Sequence, residues 1–236
     1  MDLGWIVAPW AAIRLRRVHQ KPENVENYLK MHKKNKKYSV VLNGNFPKES
    51  SLIEMIYNSD FIIATDGAAN TLIDKDLIPN VIIGDLDSFK KDQGQKLNII
   101  NIIDQSKTDF QKSLDWCVEN NINSLSIFAI SSKNEDHFLG SLYILNEYSD
   151  IINWRAYSDF SIISPSIGEK SFNSFKGQKV SLFTLNDQSI VSSKNLEYEL
   201  DKYKLLPSAN AVRNISKDDN FTLRSSSNLI VFQSRE

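Results

Sequence analysis

The chain has 236 residues, of which 41% are hydrophobic and 24% charged, with a formal net charge of −1. That balance excludes a disordered chain and argues against a global nucleic-acid or membrane field, leaving a chain long enough for one large core or two small ones. A single cysteine, Cys117, rules out an intrachain disulfide and favours a reducing compartment, so the cytoplasm is the expected location.

Residues 1–20, MDLGWIVAPWAAIRLRRVHQ, carry an apolar stretch too short to span a bilayer. Its basic residues follow the apolar part, the reverse of a secretory signal. Met31 opens a segment that reads like a natural start, and the lysine-rich run from Lys30 to Lys37 reads as a solvated approach to the first strand. Residues 1–37 are therefore expected to be an extension outside the core, with a peripheral amphipathic anchor as the alternative. No membrane or nucleic-acid partner is expected.

From residue 38, apolar runs recur: YSVVL (38–42), FIIAT (61–65), VIIG (81–84), NIINII (98–103), LSIFAI (125–130) and INWRAY (152–157). Between them KESSLIEMIYNS, GAANTLIDKDL, TDFQKSLDWCVEN and DHFLGSLYILNEY space their apolar residues for one helical face. Cys117 falls in the third of these and reads as a packed core thiol. Alternating β and α units predict an α/β domain over 38–159, a parallel sheet between two helical layers. From residue 160 the candidates are short strands, KVSLFTL, NLEYEL, NFTLRS and NLIVFQ, with LNDQS, SSKN and RSSSN as turns. This predicts a second, all-β domain over 160–236.

Ligands of open parallel sheets bind beyond the carboxyl ends of the strands. Those ends read NGNFP, TDGAAN, GDLDS, DQSKTDF and SSKNEDH, and they bring Asp66, Asp85, Asp87, Asp104, Asp109 and Asp136 to one rim. Converging carboxylates repel unless a cation sits among them. Mg²⁺ takes oxygen ligands, commonly one or two carboxylates with substrate phosphates and waters. In an extended stretch Asp85 and Asp87 would point to the same side and hold it, while Gly84 would allow a sharp turn. Asp66-Gly67 opens a helix whose amides favour an anion. Blander roles exist for several residues of this rim. Asp85 or Asp87 would serve as a helix cap near Ser88, Asp109 as a first-turn acid behind a Thr108 cap, His137 as a helix-start residue and Lys112 as a surface lysine. A dinucleotide fingerprint, a Walker A loop, a G-x-S-x-G elbow and zinc-ligand spacing are all absent from the sequence.

NGNFP, ATDGAANTLIDKDLIPNVIIGDLDS, DQSKTDFQKSL, NEDHFLGSLYIL and the tail NLEYELDKYKLL…NLIVFQ resemble, in order and spacing, the motifs of the thiamine pyrophosphokinase family, over residues 38–235. The resemblance implies an α/β catalytic domain and a β-sandwich domain that binds thiamine. It also implies a homodimer with sites at the subunit interface, and transfer of pyrophosphate from ATP to the thiamine hydroxyl with Mg²⁺. By motif match Asp85 and Asp87 take the metal positions. Asn43, Asp66, Gly67, Gln105, Thr108, Lys112 and His137 fall on the nucleotide side. Asp85, Asp87, Asp109 and Asp136 are the catalytic acids, with Asp109 or Asp136 as the base. The chain departs from the family where Ser131–Asn134 replace a glycine-rich stretch and arginine, where Ser141 replaces asparagine, and at Ala211–Arg213, after which Asn214 alone keeps the thiamine-side pattern. Two other readings stay open: a pyrophosphokinase for another hydroxymethyl heterocycle, such as a pterin, and a non-enzymatic nucleotide-binding protein.

Overall fold

Strands covered on both faces need apolar residues at nearly every position, and the runs read above meet that need. In the computed structural model, which describes residues 36–90, 97–131 and 134–236, they form β1 (Tyr38–Val41), β2 (Phe61–Thr65), β3 (Val81–Gly84), β4 (Ile99–Asn101), β5 (Ser124–Phe128) and β6 (Asn153–Tyr157). The helices are α1 (Ser50–Tyr57), α2 (Asp66–Asp74), α3 (Asp109–Glu119) and α4 (Glu135–Glu147). The extension expected over residues 1–37 lies, but for Lys36 and Lys37, outside the described residues. No helix among the described residues is long and apolar enough to cross a membrane.

The six strands pair in parallel in the order β6-β5-β1-β2-β3-β4. Chain order reverses direction at β1, which has β2 on one side and β5 on the other. This leaves a crevice at the carboxyl ends of β1 and β5. One sheet face, with Val41, Ile62, Ala64 and Ile82, packs against Leu52 and Ile56 of α1 and Ala68, Ala69 and Leu72 of α2. The other face carries Phe61, whose ring stacks on Trp116 of α3 with centroids 6.2 Å apart. Phe61, Ile62, Ile63 and Leu72 are fully buried, each contributing about 1.5–3 kcal/mol. Cys117 is buried in α3, and burial pushes its thiol well above the usual range, as a core thiol requires.

The remaining strands are β7 (Ser161–Asn173), β8 (Lys179–Phe183), β9 (Ser189–Lys194), β10 (Tyr203–Leu205), β11 (Asn214–Ile215) and β12 (Asn220–Ser234). They are antiparallel. β7 joins them to the parallel strands through Ala156↔Ile163 and Tyr157↔Ile162. A separate core, including Phe172, Val180, Leu182, Val191, Phe221 and Leu223, fills this part, with Phe172 and Phe221 stacked at 5.0 Å.

RSSSN, SSKN and NLEYEL depart from the local structure expected of them. RSSSN is not a turn between two strands. It lies within β12, where the register with β7 shifts between Ser225 and Leu229 opposite Gly168 (φ +65°). The irregularity lets one strand serve two partners: Thr222–Ser225 pair with β9 and Ile230–Gln233 with β8. In SSKN, Ser192–Lys194 close β9 instead of turning, and NLEYEL forms only a bridge from Leu196 to Ser216. The hydroxyls of Ser192 and Ser193 accept from the backbone N–H of Lys202 (3.0 Å) and Leu200 (2.8 Å), holding that segment without a ladder. β7 has no clear signal in the sequence, because Pro165, Gly168 and its charged residues hide the period of two.

Candidate active site

The loops after β1 to β5 and the start of α4 enclose a cleft of about 950 Å³. Among the residues lining it are Asp66, Asp85, Asp87, Asp109 and Asp136, together with Asn43, Gln105, Thr108, Lys112 and His137. Five of the six rim acids thus meet in one place. The sixth, Asp104, turns into its own loop, accepting from Ser106 Oγ (2.7 Å) and Ser106 N (2.8 Å), and these bonds, the hydroxyl's foremost, hold its carboxyl below the usual range.

Oxygens of Asp66, Asp85 and Asp87 lie within 4.8 Å of one another. Simple strand alternation does not bring the last two together. Residues 86–88 bend, and Leu86 between the two acids adopts φ +68°. A bulky residue in the left-handed region costs about 1–2 kcal/mol. Leu86 packs partly buried against the α1/α2-side core, which offsets that cost. The blander reading of this pair as helix caps fails for the described residues, since 85–90 hold no helix.

The three carboxylates sit in different surroundings. Asp85 accepts from Gln105 Nε2 at 2.8 Å and from Asp87 N at 3.2 Å. These bonds, that from Gln105 foremost, hold its carboxyl below the usual range. Asp66 is buried at the start of α2 and accepts from Gly67 N and, at 3.3 Å, from Ser88 N. Burial first, and the charge of Asp109 second, push its carboxyl up. Three hard oxygen donors, one of them uncomfortable as an anion, are the donor set a small divalent cation takes.

Lys112 is not a surface lysine. Its side chain is 2% exposed and its Nζ meets Asp109 Oδ1 at 3.0 Å. Thr108 is the helix cap anticipated for it, in a capping box with Gln111. His137 stands exposed in the first turn of α4, its N–H donating to Asp136 Oδ1 at 2.8 Å. A Cβ on Gly67 would fall 2.2 Å from Asn43 Nδ2, so glycine there is what lets Asn43 reach the cleft.

Gly84 was expected to permit a sharp turn, but its φ lies outside the left-handed region. Its role is spatial. A Cβ there would lie 2.8 Å from Asp66 Cβ and 3.1 Å from Asp109 Cγ. Gly84→Ala is expected to splay these two acids, costing about 1–3 kcal/mol of stability and most of the turnover. Urea unfolding and a rate assay on the same preparation check this, and a wild-type rate would show that the acids tolerate displacement.

Asn214 lies outside the lining of this cleft. Its Oδ1 accepts from Tyr198 N (3.0 Å) and Ile215 N (2.8 Å), and its Nδ2 donates to Tyr198 O (2.7 Å). Asn214→Ala is expected to destabilise the fold by about 1–3 kcal/mol, because the half-buried backbone groups of Tyr198 and Ile215 lose their partner. A chemical-denaturation midpoint equal to wild type would refute that. Arg213 beside it is exposed at φ +60°, with its N–H on Ser181 Oγ at 2.9 Å. Sequence reasoning missed Thr65, which also lines the cleft, and Leu86. The first was legible as a hydroxyl directly before Asp66, whereas the second has no sequence signal, because leucine does not announce a left-handed backbone.

The profile of the thiamin pyrophosphokinase catalytic domain matches residues 52–153, and that of the thiamin pyrophosphokinase substrate-binding domain matches residues 162–232. The chain belongs to the thiamin pyrophosphokinase family. Among curated members of that family, thiamin pyrophosphokinase 1 of Caenorhabditis elegans is 35% identical over 83 residues, 33% of this chain and 34% of that protein. Thiamine pyrophosphokinase of Bacillus subtilis (strain 168) is 29% identical over 89 residues, 35% of this chain and 42% of that protein. These matches therefore span about a third to two-fifths of the relatives' length. The fold likeness runs further. The crystal structure of the Bacillus subtilis thiamine pyrophosphokinase superposes with a TM-score of 0.74 at 22% identity, covering 84% of this chain and 99% of that one. Thiamin pyrophosphokinase from Candida albicans gives 0.73 at 18% identity, covering 89% and 91%. The family fold, parallel strands followed by antiparallel ones, is thus common to all three chains.

Proposed function

We propose that this chain transfers the β,γ-pyrophosphoryl group of ATP to the hydroxyl of thiamine, releasing AMP. The observation that carries this reading is the convergence of Asp66, Asp85 and Asp87 oxygens within 4.8 Å in a cleft at the sheet's switch point. The residues fit a hard divalent cation, which Asp85 and Asp87, with Asp66 beside them, would hold. Mg²⁺ when bound would neutralise phosphate charge. Residues 38–159 would carry the nucleotide side and 160–236 the thiamine side, a division that follows the break between the two family profiles.

The side chains supply positioning. Thr108, at the N-terminus of α3, and Gln105, bonded to Asp85, line the wall against which a polyphosphate would lie. The thiamine oxygen attacks the β-phosphorus, the bridging bond from that phosphorus to the AMP oxygen breaks, and the hydroxyl proton passes to a carboxylate. Asp136 is the better base. Asp109 Oδ1 is held by Lys112, while Asp136 stands at the mouth of the cleft with Oδ1 on its own helix start. Asn214 would orient thiamine through its remaining amide hydrogen, from the partner chain of a homodimer.

Purified protein incubated with ATP, Mg²⁺ and a panel of alcohols, with AMP release measured, tests the proposal. Thiamine-dependent AMP release is the expected result. The altered residues Ala211–Arg213 favour one second reading, in which brisk AMP release follows another hydroxymethyl heterocycle and none follows thiamine. No AMP release with any alcohol, alongside intact nucleotide binding, would leave a binding protein.

A further inference from the structure

Thr65 ends β2 immediately before Asp66. It is 4% exposed and lines the cleft, yet its Oγ1 has no hydrogen-bond partner. It occupies the N-cap position of α2, where a threonine oxygen ordinarily accepts a helix N–H, and here it makes no such bond. Buried hydroxyls are nearly always paired, so this one calls for an explanation. Three other buried side-chain atoms among the described residues are also unpaired, on Asn146, Ser166 and Asn228, and none of those residues lines the cleft.

The strand's period of two places Thr65 on the side of Phe61, and Phe61 stacks on α3. Two polar side chains of α3 bond to Asp109 and not to Thr65. Ser113 Oγ donates to Asp109 O at 2.7 Å, and Lys112 Nζ is on Asp109. The cleft wall also carries the donors Asn43, Lys112 and His137, and a polyphosphate chain presents only acceptors, which a buried hydroxyl meets by donating. We propose that Thr65 is a substrate-contacting residue whose hydroxyl donates to a non-bridging phosphate oxygen of the bound nucleotide. The proposal rests on the nucleotide-binding reading above and adds to it a contact and the part of the ligand that receives it.

The test uses the full chain as wild type, Thr65→Val and Thr65→Ser. Calorimetry with Mg²⁺ present gives the affinities for α,β-methylene ATP, inorganic tripolyphosphate and adenosine. Melting of the ligand-free proteins is measured beside it. Thr65→Val is expected to weaken both phosphate ligands by about 10-fold, the worth of one hydrogen bond to a charged acceptor. Adenosine should bind as to wild type, and Thr65→Ser should restore phosphate affinity. The ligand-free Thr65→Val protein should melt at or above the wild-type temperature, since valine fills the same space without an unpaired hydroxyl. Unchanged phosphate affinity in Thr65→Val, with wild type binding normally, overturns the contact alone. A lower melting temperature in that variant assigns the hydroxyl to a structural bond and also overturns it. A loss confined to adenosine refutes the phosphate assignment. Failure of the wild type to bind either phosphate ligand overturns the nucleotide reading together with this contact.

Discussion

Asp85→Asn and Asp87→Asn are each expected to reduce AMP release by about 100-fold or more, while the protein remains folded. The amide keeps the shape of the side chain and removes its charge. At Asp85 the bond from Gln105 Nε2, now 2.8 Å, survives if the asparagine presents its oxygen there, and only the longer bond from Asp87 N, at 3.2 Å, is given up. What is lost is one of the hard anionic donors gathered within 4.8 Å. The same substitution relieves repulsion among Asp66, Asp85 and Asp87, so melting temperatures should match or exceed wild type in metal-free buffer. Rates measured across a Mg²⁺ titration, with thermal melts beside them, check both halves. Near-wild-type turnover at saturating Mg²⁺ in either variant would refute the proposed ligand role.

Loss of the Lys112 charge should damage both stability and activity. Its side chain is 2% exposed against 25% for Asp109, with 3.0 Å between Nζ and Oδ1. Breaking a buried pair from one side costs about 3–5 kcal/mol, because the remaining charge stays desolvated without its partner. Here the remaining charge would also face Asp66, whose carboxyl is already pushed up by burial and by Asp109. Lys112→Met keeps most of the packed aliphatic stem and removes only the cation, so a drop in denaturation midpoint reports the charge itself. Adding Asp109→Asn should recover much of the stability and none of the turnover. A Lys112→Met protein as stable as wild type would show that the pair contributes nothing to the fold.

Reading the sequence alone identified the strands and helices that build the cleft, because burial on both faces demands apolar runs and one-sided burial demands helical spacing. It also named every rim acid, since acids at successive strand ends in a parallel sheet must share one edge. The antiparallel part was less legible. β12 was read as two strands, because three serines in a row look like a turn until two partner strands compete for one backbone.

The finer site was decided by tertiary contacts. Asp104 carries the same charge and rim position as the others, yet two bonds within its own loop take it out of the cleft. Whether Lys112 faced solvent or core depended on where α3 lay against β2 and β3, and helical spacing alone does not specify that. Gly84 matters for the space between Asp66 and Asp109, residues 18 and 25 positions away in sequence. Local sequence thus determined which residues reach the rim, through periodicity and strand ends. Long-range packing determined which of them meet, because charge pairing and close approach depend on distances that no short stretch of chain encodes.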